Sequence, residues 1–184
     1  MSEYKIVDNK ELRVAISGKS GCGNTTISTL LSEKLGVKII NFTFRQLAQE
    51  QNITLAEVIE RAKTSEWWDR EVDRRQVELA RKESCILASR LAIWMLPEAD
   101  FKVYLLASDD ERASRIFKRE GGDFEKIKKF TQMRDNEDSK RYKELYNIDN
   151  TDHSCADFVI NTDKYVPEKI VDLILSELIN YTLI

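Results

Sequence analysis

Histidine and cysteine are scarce in this chain of 184 residues, which contains one histidine and three cysteines. The cysteines, Cys22, Cys85 and Cys155, are odd in number, lie far apart and show no C-x-x-C spacing. A disulfide framework needs an even set of cysteines, and a structural zinc site needs four suitably spaced ligands. The composition therefore disfavours both, and the thiols are expected to be reduced.

Long apolar runs and an excess of basic residues are also missing. No run approaches the roughly 20 apolar residues that cross a membrane, and the N-terminal MSEYKIVDNK lacks the apolar core of a secretory signal. The net charge is −3, whereas binding to a phosphate backbone requires a basic surface. The sequence therefore predicts a cytoplasmic protein whose partners include neither a membrane nor a nucleic acid.

Proline and glycine are few, with two and six residues respectively. The chain has no internal repeat, no low-complexity tract and no segment with the composition of an interdomain linker. Its length suits one domain with a complete hydrophobic core. We therefore expect a single domain over residues 1–184.

The chain does contain short apolar runs that alternate with amphipathic segments. Nearly continuous apolar runs, typical of strands buried on both faces, lie at 12–17, 37–40, 85–88, 102–107 and 157–161. Helical patterns cover 24–35, 44–63, 66–83, 109–120, 123–145 and 167–181. This alternation predicts a three-layer α/β fold in which helices flank a five-stranded parallel sheet. Ligands of such folds bind beyond the carboxyl ends of the strands.

The first predicted strand leads into the stretch GKSGCGNTT and then into a predicted helix. This layout is that of the phosphate-binding loop G-x-x-x-x-G-K-[ST], in which backbone N–H groups and a helix N-terminus surround phosphate and the hydroxyl binds Mg²⁺. Gly18, Gly23 and Thr25 occupy the required places, but Asn24 stands where the pattern has lysine. The context favours a phosphate cradle over a glycine-rich turn that is merely capped by Asn24 or Thr25.

Lys19, the first variable residue of the loop, could replace the missing cation from a different direction. In one subgroup of phosphate-loop ATPases a lysine at this place reaches phosphate, usually across a dimer interface. The alternative is a loop lysine that is simply solvated. The residues leave both interpretations open.

Arginines cluster on two predicted helices. Arg112, Arg115 and Arg119 fall at i, i+3 and i+7, with Glu111 placed to relieve Arg115. This spacing suits either an arginine face that closes over polyphosphate or a salt-bridged surface helix.

A second group comprises Arg134, Asp138 and Arg141, spaced four and three apart on one helical face. An acid between two arginines would hold their guanidinium groups for bidentate contact with phosphate. The alternative is an ordinary ladder of ion pairs along the helix.

Four further arginines lie close to strand ends or on the helices that follow. They are Arg45, Arg74, Arg75 and Arg90, and Arg90 comes directly after the third strand.

Several segments then resemble a known family, the nucleoside monophosphate kinases, and most closely the archaeal-type cytidylate kinases. They are DRRQVELARK, SRLAIWM, ADFKVYLLAS, RIFKREG, KRYKELYNID and VINTDKYVPEKI, and the likeness runs from about Leu12 to Leu178. The resemblance implies a phosphate-loop kinase fold and transfer of the ATP γ-phosphoryl group to CMP or dCMP with Mg²⁺. It also implies a helical insert at about 42–83 that binds the monophosphate and a lid at about 112–141. We expect a monomer whose partners are small nucleotides.

The resemblance also implies roles for individual residues. ATP would be held by Gly18, Lys19, Ser20, Gly21, Cys22, Gly23, Asn24, Thr25, Thr26 and Arg112, with adenine near Asn161 and Thr162, and Thr25 would bind Mg²⁺. The acceptor nucleotide would be bound by Arg45, Arg74, Arg75, Gln76, Arg90 and Asp138. The transferring phosphates would meet Arg115, Arg119, Arg134 and Arg141. In this branch the place of Asn24 commonly holds threonine, so its missing lysine is a trait of the family.

Two departures from the family pattern concern the acceptor and the metal. Where the family has EGR or DGR, this chain has Ala88, Ser89 and Arg90, so a carboxylate that would position Mg²⁺ is missing. The usual turn after the second strand is reduced to NFTFR. Two alternatives therefore stand beside the cytidylate kinase hypothesis. One is a kinase of the same fold for another monophosphate or a small alcohol, and the other is a non-catalytic nucleotide-binding protein.

Overall fold

A computed structural model of the chain describes residues 4–7 and 10–184. The decapeptide used to argue against a secretory signal includes residues 1–3 and 8–9, which lie outside the described residues. Five strands, all within one residue of the predicted bounds, form one parallel sheet: β1 (Arg13–Gly18), β2 (Lys38–Ile40), β3 (Cys85–Ala88), β4 (Phe101–Leu106) and β5 (Phe158–Asn161). The strand order is β2-β3-β1-β4-β5, so the α/β prediction is confirmed.

Helices cover both faces of the sheet. They are α1 (Asn24–Leu35), α2 (Phe44–Glu50), α3 (Leu55–Ala62), α4 (Trp67–Ala80), α5 (Ala92–Met95), α6 (Asp109–Glu120), α7 (Phe124–Tyr146) and α8 (Pro167–Asn180). Alternate residues of β1 face opposite ways, since successive strand side chains point to opposite faces. Val14 packs with residues of α1 and α8, whereas Ala15 packs with residues of α4 and α5. This arrangement is the expected three-layer structure.

The segment 44–63 differs from the prediction of one continuous helix. It forms α2 and α3, and the break contains Asn52, which has a positive φ of 54°. Thr54 then starts α3 with a capping box, in which its hydroxyl accepts from Glu57 N and the Glu57 carboxylate accepts from Thr54 N. This local hydrogen bonding competes with helix continuation, and apolar periodicity alone did not reveal it.

Helices α2, α3 and α4 enclose a small apolar cluster of their own, separate from the two clusters on the sheet. Its buried residues are Phe42, Leu47, Ala48, Val58, Trp68 and Val72. The cluster gives this part of the chain a packing centre beside the carboxyl end of the sheet. Within residues 4–7 and 10–184, no helix combines the length and apolarity that a membrane crossing requires.

Candidate active site

The glycine-rich loop that the sequence predicts to bind phosphate leaves the central strand β1 and leads into the N-terminus of α1. Gly21 and Gly23 have φ values of 82° and 98°, which side chains disfavour. A Cβ on Gly21 would lie 2.9 Å from the carbonyl oxygen of Arg112, and one on Gly18 would lie 2.5 Å from Cys22 Sγ. The glycines therefore allow close packing of the loop as well as its curvature. The resulting turn faces a helix N-terminus, which attracts anions.

Asn24, at the place of the missing lysine, is engaged within the fold. Its Nδ2 donates to the carbonyl oxygen of Ile16 at 3.0 Å, and its Oδ1 accepts from Ser28 Oγ at 3.0 Å. The side chain thus ties the first turn of α1 to β1. Asn24 therefore has a structural role at the base of the loop. Its side chain is uncharged, so it does not replace the positive charge of the lysine.

Arg112 supports the loop from its buried side. Its side chain is 1% exposed, and its guanidinium donates to Ser20 O at 3.1 Å, to Asp135 Oδ2 at 2.6 Å and to Asp109 Oδ1 at 2.6 Å. The resemblance had implied that Arg112 contacts ATP. The burial of its guanidinium instead indicates a supporting role, and direct contact with ATP would require these bonds to break.

Lys19 lies beside the same buried carboxylate. Its Nζ is 3.9 Å from Asp135 Oδ2, and 39% of its side chain is exposed. The contact is long because Asp135 already accepts from Arg112. Lys19 is therefore a loosely held cation at the edge of the loop, and its contact with phosphate stays a prediction.

Arg115 joins the loop to the end of β5. It donates to the hydroxyl and the carbonyl oxygen of Thr162, both at 2.9 Å, and more weakly to Gly21 O at 3.4 Å. The expected pair with Glu111 is present at 2.9 Å. Thr162 in turn donates to Cys22 O at 3.0 Å. These bonds border a cavity of about 540 Å³ whose lining includes Gly23, Thr26, Thr162, Lys164 and Tyr165.

A large cleft extends from the loop to the α2–α4 segment and to α7, with a volume of about 700 Å³. It brings together most of the loop with four of the predicted arginines and Gln76; these residues are Gly18, Lys19, Ser20, Gly21, Gly23, Asn24, Thr25, Thr26, Gln76, Arg90, Arg115, Arg119 and Arg134. The loop and the cationic side chains therefore face one cavity, as expected of a site that binds polyphosphate.

The predicted row Arg134–Asp138–Arg141 forms no ion pair within α7. Asp138 instead pairs with Arg90 at the end of β3, and Arg141 pairs with Asp69 on α4. This corrects the expectation that Asp138 holds both neighbouring arginines. Burial raises the pKa of Asp138 although Arg90 opposes the shift. The acids on this face therefore connect α7 to other elements.

Four predicted acceptor contacts lie outside the cleft lining: Asp138, which pairs with Arg90, and Arg45, Arg74 and Arg75. Arg74 pairs with Glu71 and Glu78, Arg75 pairs with Glu50 and Glu71, and Arg45 is exposed on α2. Helical residues turn by about 100° each, so Arg74 and Arg75 point away from the direction of Gln76. Their contact with a nucleotide stays a prediction that requires these ion pairs to exchange.

Several cleft residues were missed at the level of sequence. Asp69 and Asp73 line the cleft together with Gln76, at i, i+4 and i+7 along α4. That spacing in the sequence is itself a signal of one polar helix face. Tyr142 also lines the cleft, and no local pattern distinguishes it from a core residue.

Asp73 has an unusual environment. It accepts from the hydroxyl of Tyr146 at 2.6 Å. Burial raises the pKa of its carboxyl group, and the bond from Tyr146 only partly opposes that shift. Among the described residues, no lysine or arginine forms an ion pair with Asp73. A carboxylate in this setting is poorly compensated.

The oxygen ligands suit Mg²⁺ that arrives with a polyphosphate. No group of three or more histidine, cysteine or acidic side chains in the described part of the chain could hold a metal by itself. Mg²⁺ commonly keeps several waters and takes one or two protein oxygens besides substrate phosphates. Thr25 lines the cleft at the start of α1 and provides such an oxygen, while Ala88 lines it without a carboxylate.

Comparisons with known proteins identify the family that the chain resembles. Residues 13–164 match the model of the cytidylate kinase-like family. The chain is 42% identical over 171 residues to cytidylate kinase 2 of Borreliella burgdorferi, covering 91% of this chain and 95% of that protein. It is 36% identical over 167 residues to the cytidylate kinase of Archaeoglobus fulgidus, covering 89% and 93%.

Solved structures share the fold at low sequence identity. Shikimate kinase from Acinetobacter baumannii superposes with a TM-score of 0.64 at 17% identity, covering 95% of this chain and 97% of that one. Deoxyadenosine kinase from M. mycoides superposes with a TM-score of 0.56 at 20% identity, covering 91% and 99%. At such identities the likeness establishes the fold alone.

Proposed function

The chain belongs to the cytidylate kinase-like family and is therefore a phosphotransferase, and we propose that it transfers the γ-phosphoryl group of ATP to CMP or dCMP. The observation that carries the proposal is the composition of the large cleft. A phosphate-binding loop, four arginines and the polar face of α4 share one cavity. Such a cavity can hold two phosphate-bearing substrates at once.

ATP would bind with its phosphates in the loop and its adenine in the neighbouring cavity. Backbone N–H groups of the loop and the N-terminus of α1 favour phosphate oxygens. The cavity between Thr162, Tyr165 and the loop leads away from the phosphates and is large enough for a base, at about 540 Å³. Arg115, which bonds both the loop and Thr162, would hold the two halves of the ATP site together.

The acceptor monophosphate would occupy the opposite part of the cleft. Gln76 and Asp73 line that part from α4, while Arg90 reaches it from the end of β3. Arg90 is suited to the acceptor phosphate because its guanidinium is already oriented by Asp138. Arg45, Arg74 and Arg75 would join only if their present surroundings change.

The reaction requires little from the protein beyond position and charge. An oxygen of the acceptor phosphate bonds to the γ-phosphorus as the bond from that phosphorus to the β–γ bridging oxygen breaks, and ADP leaves. No general base is needed because the attacking oxygen is already anionic. Arg115, Arg119 and Arg134 line the cleft where the added negative charge spreads. Mg²⁺, which Thr25 would help to hold, neutralises phosphate charge when it is bound.

Two parts of the chain would move during the cycle. The insert, at about 42–83, has its own apolar cluster and can shift as a unit. The lid, at about 112–141, carries Arg119 and Arg134, both of which are exposed in the open cleft. Closure would exclude water and protect ATP from hydrolysis. All of these parts come from one chain, so a monomer suffices.

The test is an acceptor panel. The protein is incubated with ATP and Mg²⁺ and with CMP, dCMP, UMP, AMP or GMP in turn, and ADP release is followed. Turnover restricted to CMP and dCMP supports the proposal. Turnover on a different acceptor alone would indicate another kinase of this fold. ATP binding without turnover on any acceptor would indicate a nucleotide-binding protein, as the missing carboxylate at Ala88 would suggest.

A further inference from the structure

A second, much smaller cavity borders the loop and has a volume of about 10 Å³. Its lining comes from the segments after β1 and β3, from β4, from α7 and from the connection between α7 and β5. The polar side chains of the lining are those of Lys19, Arg90, Tyr104, Asp135, Asp138 and Asn150. A space of this size holds one water molecule, provided that two to four polar groups bond to it. The polar lining meets that condition.

Asn150 contributes an acceptor that lacks a donor. The residue lies between α7 and β5 and is 8% exposed. Its Oδ1 is buried and has no hydrogen-bond partner in the part of the chain that the structure describes. A buried acceptor of this kind costs stability unless something donates to it. Because Asn150 lines the small cavity, a molecule held there can donate to this oxygen.

Lys19 and Asp135, which also line the small cavity, form only a long contact with each other. The Lys19 Nζ is 3.9 Å from Asp135 Oδ2, which is beyond hydrogen-bonding distance. Polar groups separated in this way are often bridged by water. The long contact and the unpaired oxygen of Asn150 are independent observations, and one molecule in the cavity explains both.

The charges around the small cavity favour water over a cation. Lys19 and Arg90 contribute two positive charges to the lining, and Asp135 and Asp138 contribute two negative charges. Arg112 adds a further cation that pairs with Asp135. The acids are therefore already compensated, and a neutral occupant fits better than another positive charge. A water molecule can accept from Lys19 Nζ while it donates to Asp135 and to Asn150 Oδ1.

We infer that one water molecule is bound between Lys19, Asp135 and Asn150, and that Asn150 is a positioning residue for the Lys19 ammonium group. Lys19 lines both the small cavity and the large cleft. Its ammonium group has three N–H donors, so a bond to the water leaves others for a phosphate in the cleft. A lysine that is already oriented loses less side-chain entropy when it binds phosphate. The inference rests on the proposed binding of ATP to the loop.

The first measurement is the binding of ATP with Mg²⁺, by titration calorimetry without an acceptor. Asn150→Leu removes the acceptor oxygen but keeps a side chain of similar size. We expect it to raise the Kd of ATP about five- to tenfold, the effect of one hydrogen bond. Asn136→Leu, at an exposed position of α7 next to Asp135, is the control and should keep the Kd of the unaltered protein.

A double variant tests the connection to Lys19. In a Lys19→Met background, Asn150→Leu should change the Kd of ATP by less than about twofold, because the group that Asn150 positions is already missing. The same loss in both backgrounds would overturn the inference, since a purely structural role of Asn150 predicts that result. An unchanged Kd in Asn150→Leu alone would overturn it as well.

A high-resolution crystal structure of the unaltered protein without nucleotide tests the water site by itself. An ordered water within hydrogen-bonding distance of Asn150 Oδ1 and Lys19 Nζ would support the inference. A dry cavity, a metal cation in it, or an Asn150 amide whose Nδ2 donates to a carboxylate there would overturn it. Failure of the unaltered protein to bind ATP would refute the proposed function, whereas the electron density would still decide the water site.

Discussion

Replacement of Arg112 by methionine is expected to destabilise the protein more than replacement of Arg115, Arg119 or Arg134. The Arg112 side chain is 1% exposed, and its partner Asp135 is 9% exposed. Without Arg112, the one cation that still pairs with that carboxylate, within residues 4–7 and 10–184, is Lys19, whose Nζ is 3.9 Å away. Breaking a buried pair from one side typically costs about 3–5 kcal/mol, because a charge is left buried and unpaired. The loss is large against a total stability of about 5–15 kcal/mol.

Thermal and urea unfolding provide the measurement. For a domain of this size, about 3–5 kcal/mol corresponds to a fall in Tm of about 6–20 °C. The urea midpoint should fall while the slope stays the same, since the surface exposed on unfolding is unchanged. KM for ATP should rise as well, because Ser20 O loses its hydrogen bond from Arg112. Arg119→Met serves as the control for the unfolding measurements alone, since Arg119 is exposed on the same helix but lines the cleft.

The double variant Arg112→Met with Asp135→Leu decides whether the physical account is right. It removes both charges together, and replacing a whole buried ion pair by apolar groups is often nearly neutral. We therefore expect it to recover most of the stability that the single variant loses. If Arg112→Met alone cost less than about 1 kcal/mol, or if the double variant were as unstable as the single one, the reasoning would be refuted.

Three further outcomes are expected. Arg134→Ala should lower kcat by about 100-fold or more, as for other groups that stabilise transferring charge, and by more than Lys19→Ala; in steady-state kinetics the reverse order would contradict the arginine account. Asn24→Asp should lower the free energy of unfolding by about 1–3 kcal/mol, because aspartate cannot donate to the β1 carbonyl; an unchanged urea midpoint would disprove this structural role. A disulfide reagent at pH 7.5 should modify one thiol rapidly, at Cys155, since burial raises the pKa of the other two to about 11; Cys155→Ser should abolish this phase, and its persistence would show that a buried thiol is reached.

The sheet and most helices were predictable because their signals are local. Continuous apolar runs marked all five strands to within one residue, and the predicted helix at 109–120 coincides with α6. The failure at 44–63 has a local cause too, in Asn52 and the capping box of Thr54. The capping box is visible in the sequence as T-x-x-E, at Thr54 and Glu57. The apolar periodicity of 44–63 nevertheless favours one continuous helix.

The partners of the arginines were less predictable because they are distant in sequence. Arg90 and Asp138 are separated by 48 positions, and Arg141 and Asp69 by 72. Helical spacing indicated which side chains share a face, but it could not say which element that face meets. Asp138 and Arg141, which were expected to pair within α7, therefore pair instead with Arg90 after β3 and with Asp69 on α4. Burial of Arg112 follows from the same cause, since α7 covers it with Asp135.

The sequence alone predicted a glycine-rich loop with the spacing of a phosphate-binding motif after the first strand of a parallel sheet, and arginines rather than the usual lysine as its source of positive charge. Those conclusions depend on motif spacing and periodicity, which are properties of neighbouring residues. The tertiary structure decided that Asn24 ties α1 to β1, that Arg112 supports the loop and that Gln76 Oε1 is buried without a hydrogen-bond partner among the described residues. Asn24 bonds to Ile16 and Ser28, which are near in sequence, but the contact requires the loop to fold α1 back onto β1. Arg112 and Gln76 bond to Ser20 and Phe42, which are 92 and 34 positions away, and only the packing of helices onto the sheet brings these groups within hydrogen-bonding distance.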